Sequence, residues 1–231
     1  MDYFENKFFL LALTFGVFFL AKKLQKRIGW VWLNPILLTI AVLIAFLKLT
    51  GISYETYSEG GSLIEFWLKP AVVALGVPLY LQLETIKKQI MPILLSQLAG
   101  CCVGILSVSL LAKALGASAE VVRSLAPKSV TTPIAMEVSD SIGGIPSLTA
   151  TVVVCVGLFG AVFGFQILRW LHIQSPIAQG LSMGTASHAV GTSAAMDVSG
   201  KYGAFASLGL TLNGILTAML TPMLLRLVGL L

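Results

Sequence analysis

Lys128 stands in Leu125-Ala126-Pro127-Lys128-Ser129-Val130-Thr131-Thr132-Pro133-Ile134-Ala135-Met136-Glu137, a polar, proline-bracketed interruption in a chain that is otherwise mostly hydrocarbon. An ammonium at membrane depth costs about 2.5–3.5 kcal/mol on insertion scales, so a lysine placed there points to contact with a substrate or a coupling ion. Two plainer alternatives stay open: the side chain reaches the surface, or it pairs with Glu137. Pro127 and Pro133 cannot share one unbroken helix, because each lacks an N–H and its ring clashes with the preceding turn. Thr132 before Pro133 reads as an N-cap with proline at the first helical position. A helix starting there turns its free N–H groups toward Lys128, Ser129, Thr131 and Thr132, which makes an anion cradle.

The pattern returns about sixty residues later. Val130, Thr132, Ala135, Met136, Val138, Ser139, Gly143, Ser147, Leu148 and Thr151 fall on Val190, Thr192, Ala195, Met196, Val198, Ser199, Gly203, Ser207, Leu208 and Thr211. Lys128 falls on His188 and Glu137 on Asp197. Two matching interruptions suggest two halves of one site, as in transporters built from internal repeats. The second supplies Ser187, His188, Thr192 and Ser193 as further substrate-binding candidates. Pro127, Pro133 and Gly191 mark the breaks themselves. His188 titrates near neutral pH, so it serves as an anion ligand or a proton relay, or else as a hydrogen-bonded packing histidine. Glu137 and Asp197 are the other candidates for proton or ion coupling, although placement in the first turn after each break would explain them through the helix dipole alone.

The elements that must carry these residues follow from composition. The chain has 231 residues, 57% hydrophobic and 11% charged, with a mean hydropathy of +0.92. That excludes an ordinary soluble domain, and the continuous apolar runs exclude a β-barrel. At about 20 apolar residues per crossing, the chain is filled by membrane elements and short loops. The fold expected is an all-α polytopic membrane protein with about six full spans and two broken, re-entrant helical hairpins forming an inverted repeat.

Full spans are expected over about residues 3–21, 31–49, 63–83, 90–111, 145–171 and 202–227. An acidic loop is expected over 50–65. The broken elements are read as short helices over 118–126 and 133–141, then over 176–185 and 193–199. Crossing rather than re-entry stays open for both, with hairpins favoured because they carry Arg169 to the cytoplasm. Residues 1–116 read as a scaffold or oligomerisation domain, and residues 117–231 as the transport core, in halves 117–171 and 175–231. Gly100 and Gly104 carry the spacing of a helix-packing face.

The basic cluster Lys22, Lys23, Lys26 and Arg27 should stay cytoplasmic, which puts the N-terminus outside. The net charge of +5 sits mainly in short loops and is no signal for nucleic acid. Cys101, Cys102 and Cys155 lie in apolar stretches and read as packing residues. Neither metal-ligand spacing, a nucleophile elbow nor a phosphate loop occurs, so no metal, no cofactor and no enzymatic activity is expected.

At these motifs the chain resembles the LrgB/CidB family of bacterial membrane proteins, most closely its enterobacterial branch. It is also similar to the C-terminal half of the plastidial glycolate/glycerate translocator. The resemblance rests on the stretch 125–136, on Gly143-Gly144-Ile145-Pro146, and on Gly184-Thr185-Ala186-Ser187-His188-Ala189-Val190-Gly191-Thr192. Asn34-Pro35, Gly51-Ile52-Ser53-Tyr54, 70–75 and Pro78-Leu79-Tyr80 extend it over essentially the whole chain.

The resemblance implies a small LrgA/CidA/YohJ-type membrane partner, and a homo-oligomer surrounded by lipid is expected. It implies either transport of small organic anions, such as short carboxylates or hydroxycarboxylates, or holin/antiholin-like control of murein hydrolase export and autolysis. One departure is that Thr192 is followed by Ser193-Ala194-Ala195, where family members often carry a basic residue.

Overall fold

The computed structural model describes residues 6–28, 33–74 and 76–231. It is helical, with no strand among the described residues. Its contacts divide the chain into two compact units, 1–75 and 76–231.

The first unit holds α1 (Lys7–Ile28), α2 (Pro35–Thr50) and α3 (Tyr54–Ala74). The start and stop of α2 are written in the sequence. Asn34 accepts from the Ile36 and Leu37 amides, Pro35 opens the helix, and Gly51 closes it at φ +71° with its N–H on the Leu47 carbonyl. Thr14 and Tyr57 hydroxyls lie 3.0 Å apart and tie α1 to α3, beside the fully buried Leu10. The acidic loop expected over 50–65 is corrected here: α3 begins at Tyr54, so Glu55 and Glu59 are helical. Residues 3–5 and 31–32 of the first two expected spans lie outside the described residues.

The second unit contains α4 (Gly76–Leu81), α5 (Leu83–Lys88), α6 (Ile90–Ala114), α7 (Ala119–Leu125), α8 (Thr132–Ser141), α9 (Pro146–Trp170), α10 (Pro176–Val198) and α11 (Gly200–Leu227). The span expected over 63–83 is therefore divided among α3, α4 and α5, whose prolines and glycine punctuate it.

Four helices among the described residues are long and apolar enough to cross a membrane: α1, α6, α9 and α11. The 16-residue α2 is shorter. The chain is a multi-helix membrane protein. One succession of elements occurs twice within the second unit. Helix, break, helix and long helix run through α7, α8 and α9, and again through the two halves of α10 and α11.

Glycine sets how closely these helices meet. A Cβ on Gly180 would lie 2.7 Å from the Tyr202 carbonyl oxygen, and one on Gly184 would overlap the Ala206 carbonyl. The first half of α10 therefore lies against the backbone of α11, with Leu181 and Phe205 buried between them and α6.

Candidate functional site

The first break occupies residues 126–131, between α7 and α8. Ser118 caps α7 through the Val121 amide, and the chain then turns, with the Lys128 amide on the Leu125 carbonyl at 3.2 Å. Thr131 is the N-cap of α8, with no hydrogen bond from its side chain, and Pro133 is the second helical residue. This moves the cap expected at Thr132 one residue earlier. Proline's fixed φ suits either position, and its missing N–H falls within the first turn, whose donors have no intrahelical partner.

A buried polar knot fixes the break against α9. Ser124 Oγ donates to the Glu120 carbonyl and accepts from the Ile145 amide, both at 2.7 Å. Thr149 Oγ1 lies 2.9 Å from the Ser124 carbonyl and 2.7 Å from Ser139 Oγ. All three side chains are fully buried. Buried polar groups persist when satisfied, and these satisfy one another across α7, α8 and α9.

The second break is shorter than the interruption expected over 186–191. Only Ser187 (φ −129°, ψ 17°) and His188 (φ 43°, ψ −137°) leave helical geometry. The helix resumes at once because Thr192 Oγ1 bonds the His188 carbonyl at 2.9 Å and Gly191 packs on Ser187 and the Met183 carbonyl. His188 holds a positive φ that a side chain adopts at a cost of about 1–3 kcal/mol. Its ring is held by packing on Gly157 and by a 2.9 Å contact from Nε2 to the Val153 carbonyl. Ser187 enters the space left by Gly160.

Asn213 of α11 joins the two breaks. Its Nδ2 donates to the Ser129 carbonyl at 3.2 Å and to the Thr185 carbonyl at 2.9 Å. Both partners are acceptors, so the nitrogen must face them and the oxygen must point elsewhere. That Oδ1 is buried without a partner among the described residues.

Two clefts meet at Lys128. The first, about 500 Å³, lies between α6, α10 and α11, and its polar lining includes Gln97, Lys128, Ser129, Thr185, Asn213 and Thr217. The second, about 560 Å³, lies between α9 and α10 and is lined mainly by apolar residues, with Lys128, Ser182 and Ser187 as its polar groups. Lys128, Ser182 and Ala186 line both. The Lys128 ammonium donates to Ser129 Oγ at 2.9 Å and has no carboxylate partner among the described residues. The alternative pairing with Glu137 is not found.

The structure thus brings together Lys128, Ser129 and Ser187 from the sequence-derived set. Thr131, Thr132, His188, Thr192 and Ser193 line neither cleft. His188 and Thr192 are buried in the packing of the second break, and Ser193 is exposed. Glu137 and Asp197 are exposed, and neither is in a first turn: Glu137 is six residues into α8 and Asp197 is next to the end of α10. Gly100 and Gly104 also differ from expectation. Both line the first cleft, Gly104 has no atom near its missing Cβ, and Gly100 has only a Thr185 methyl at 3.5 Å.

Gln97, Thr185, Asn213 and Thr217 did not enter the sequence-derived set. Their signal was present for Gln97 and Asn213, which are amides within long apolar helices. Cys101 and Cys155 are free thiols lining the first and second clefts respectively.

The sequence is 36% identical over 227 residues to the holin-like protein CidB of Staphylococcus aureus (strain N315), covering 98% of this chain and 99% of that protein. It is 33% identical over 217 residues to the antiholin-like protein LrgB of Bacillus cereus (strain B4264), covering 94% of each. Similarity to YwbG of Bacillus subtilis (strain 168) is 41% over 215 residues, covering 93% of this chain and 96% of that protein. No solved structure matches the chain. Residues 14–227, which include both breaks and both clefts, match the LrgB-like family, and the chain is a member of it.

Proposed function

We propose that the chain acts in a bacterial inner membrane as a holin/antiholin-like regulator of murein hydrolase export and autolysis. The names of relatives similar over nearly their full length support this reading best. It works with a small LrgA/CidA/YohJ-type membrane partner, as a homo-oligomer, with its N-terminus outside. Expression in a bacterium lacking its own copies tests it: the expected result is altered autolysis and dye entry, unchanged by Lys128→Gln. No change in lysis on co-expression with the partner would count against it.

A second reading has one specific observation in its favour, the unpaired Lys128 ammonium where the two clefts meet. On this reading the chain is a carrier of small organic anions such as short carboxylates or hydroxycarboxylates. Lys128 and Ser129 hold the anionic group, and Thr185 and Thr217 hydrogen-bond its remainder in the first cleft. A half-buried cation with no carboxylate partner among the described residues gains from an anion that completes it, which gives the site a use for such a solute. The test is saturable uptake of labelled short carboxylates by reconstituted protein with its partner. Uptake that persists in Lys128→Ala would remove this site. Neither reading involves catalysis.

A further inference from the structure

The two clefts share one ammonium but differ in chemistry. The first sets several amides and hydroxyls, among them Gln97, Thr185, Asn213 and Thr217, into an otherwise apolar wall, which suits a small solute with polar groups. The second presents Cys155, Val156, Phe159, Ile167, Leu168 and Met183, with Ser187 packed on Gly160 and Met183 on Gly164 across its floor. Along α9 it runs from Cys155 to Leu168, roughly 20 Å at the helical rise. Ser187 lines the same slot against Gly160, is buried and hydrogen-bonds no described residue. An apolar slot whose lining holds one cation fits an anionic head on a hydrocarbon tail.

We propose that the second cleft binds a medium-chain fatty carboxylate, with its head on Lys128 and its tail along α9, and that this ligand excludes small anions from the first cleft. Exclusion follows from the geometry, because each ligand needs the same ammonium. A single-chain carboxylate suits the slot better than a phospholipid, since the slot offers one apolar track and one ammonium, whereas a phospholipid carries two tails. The proposal requires only the Lys128 contact and stands whether or not the chain transports anything.

The test is equilibrium binding of radiolabelled decanoate to the full chain in nanodiscs, with empty nanodiscs as background. Saturable binding is expected, tightening about fourfold per methylene along a butyrate-to-decanoate series. Lys128→Gln should weaken it at least about tenfold through loss of the charge–carboxylate contact. Cys155→Phe, at an exposed position, should weaken it similarly by filling the slot, with Val156→Phe as a second filler if that variant misfolds. Gly104→Leu, which fills only the first cleft, should leave it unchanged.

Decanoate bound no better than by empty nanodiscs, or binding indifferent to Lys128→Gln or to the slot fillers, would overturn the proposal as partition into lipid only. Intact decanoate binding with no short-carboxylate binding would sink the carrier reading and leave this one standing.

Discussion

Asn213 Nδ2 donates to the Ser129 carbonyl at 3.2 Å, so that a polar atom of α11 holds the first interruption from a distance of 84 residues along the chain. The same nitrogen holds Thr185, two residues before the second interruption. One carboxamide thereby fixes the two breaks relative to each other. Asn213→Ala should lower unfolding stability by about 1–3 kcal/mol through the two orphaned carbonyls. Asn213→Asp should cost more, although it is nearly isosteric, because a carboxylate would face two carbonyl oxygens. Thermal unfolding in detergent checks both, and the order Asp below Ala is the informative result.

His188 carries a left-handed backbone and one ring contact to Val153. His188→Ala should lose the contact and keep the strain. His188→Gly should lose the contact and relieve strain worth about 1–3 kcal/mol. The glycine variant is therefore expected to melt higher than the alanine variant. The reverse order would mean that the backbone at this position is not under strain.

The glycines of α9 and α6 should respond in opposite ways. A Cβ at Gly160 would overlap Ser187, so Gly160→Ala should destabilise by about 1–3 kcal/mol. Ser187→Gly should restore much of that loss. Gly104 faces open space, and Gly104→Ala should leave the melting temperature unchanged or raise it, since alanine is the better helix former. Comparing the three variants by melting separates close packing from cleft wall.

Thr149 is the centre of the knot that fixes the first break, within 3.1 Å of the Ser124 and Ile145 carbonyls and of Ser139 Oγ. Thr149→Val keeps the shape and removes the hydroxyl, which should cost about 1–3 kcal/mol. Thr149→Ser should be milder. Denaturation midpoints at constant slope provide the measurement.

The breaks were legible in the sequence because proline and duplication are local signals. The short helices 118–126 and 133–141 are found as 119–125 and 132–141. The contents of the site were less legible. Equal spacing put His188 on Lys128, yet the spare room at Gly157 draws the imidazole into α9 packing, and spacing alone does not report that. Thr131, Thr132 and Thr192 were marked for their hydroxyls, but proximity to a break does not place a side chain in a cleft. Asn213 belongs to another helix, so its role depends on long-range packing that no periodicity displays. Gly100 and Gly104 have packing-motif spacing, but the helix that would fill their groove stands off and leaves the first cleft.

On the carrier reading, Lys128 binds the anion where the two clefts meet. The most direct measurement is binding of a labelled short carboxylate to purified protein with its small membrane partner, wild type beside Lys128→Gln. Saturable binding is expected, falling at least about tenfold in Lys128→Gln as a charge-assisted hydrogen bond is removed, with folding intact. Equal binding in the two proteins would contradict it.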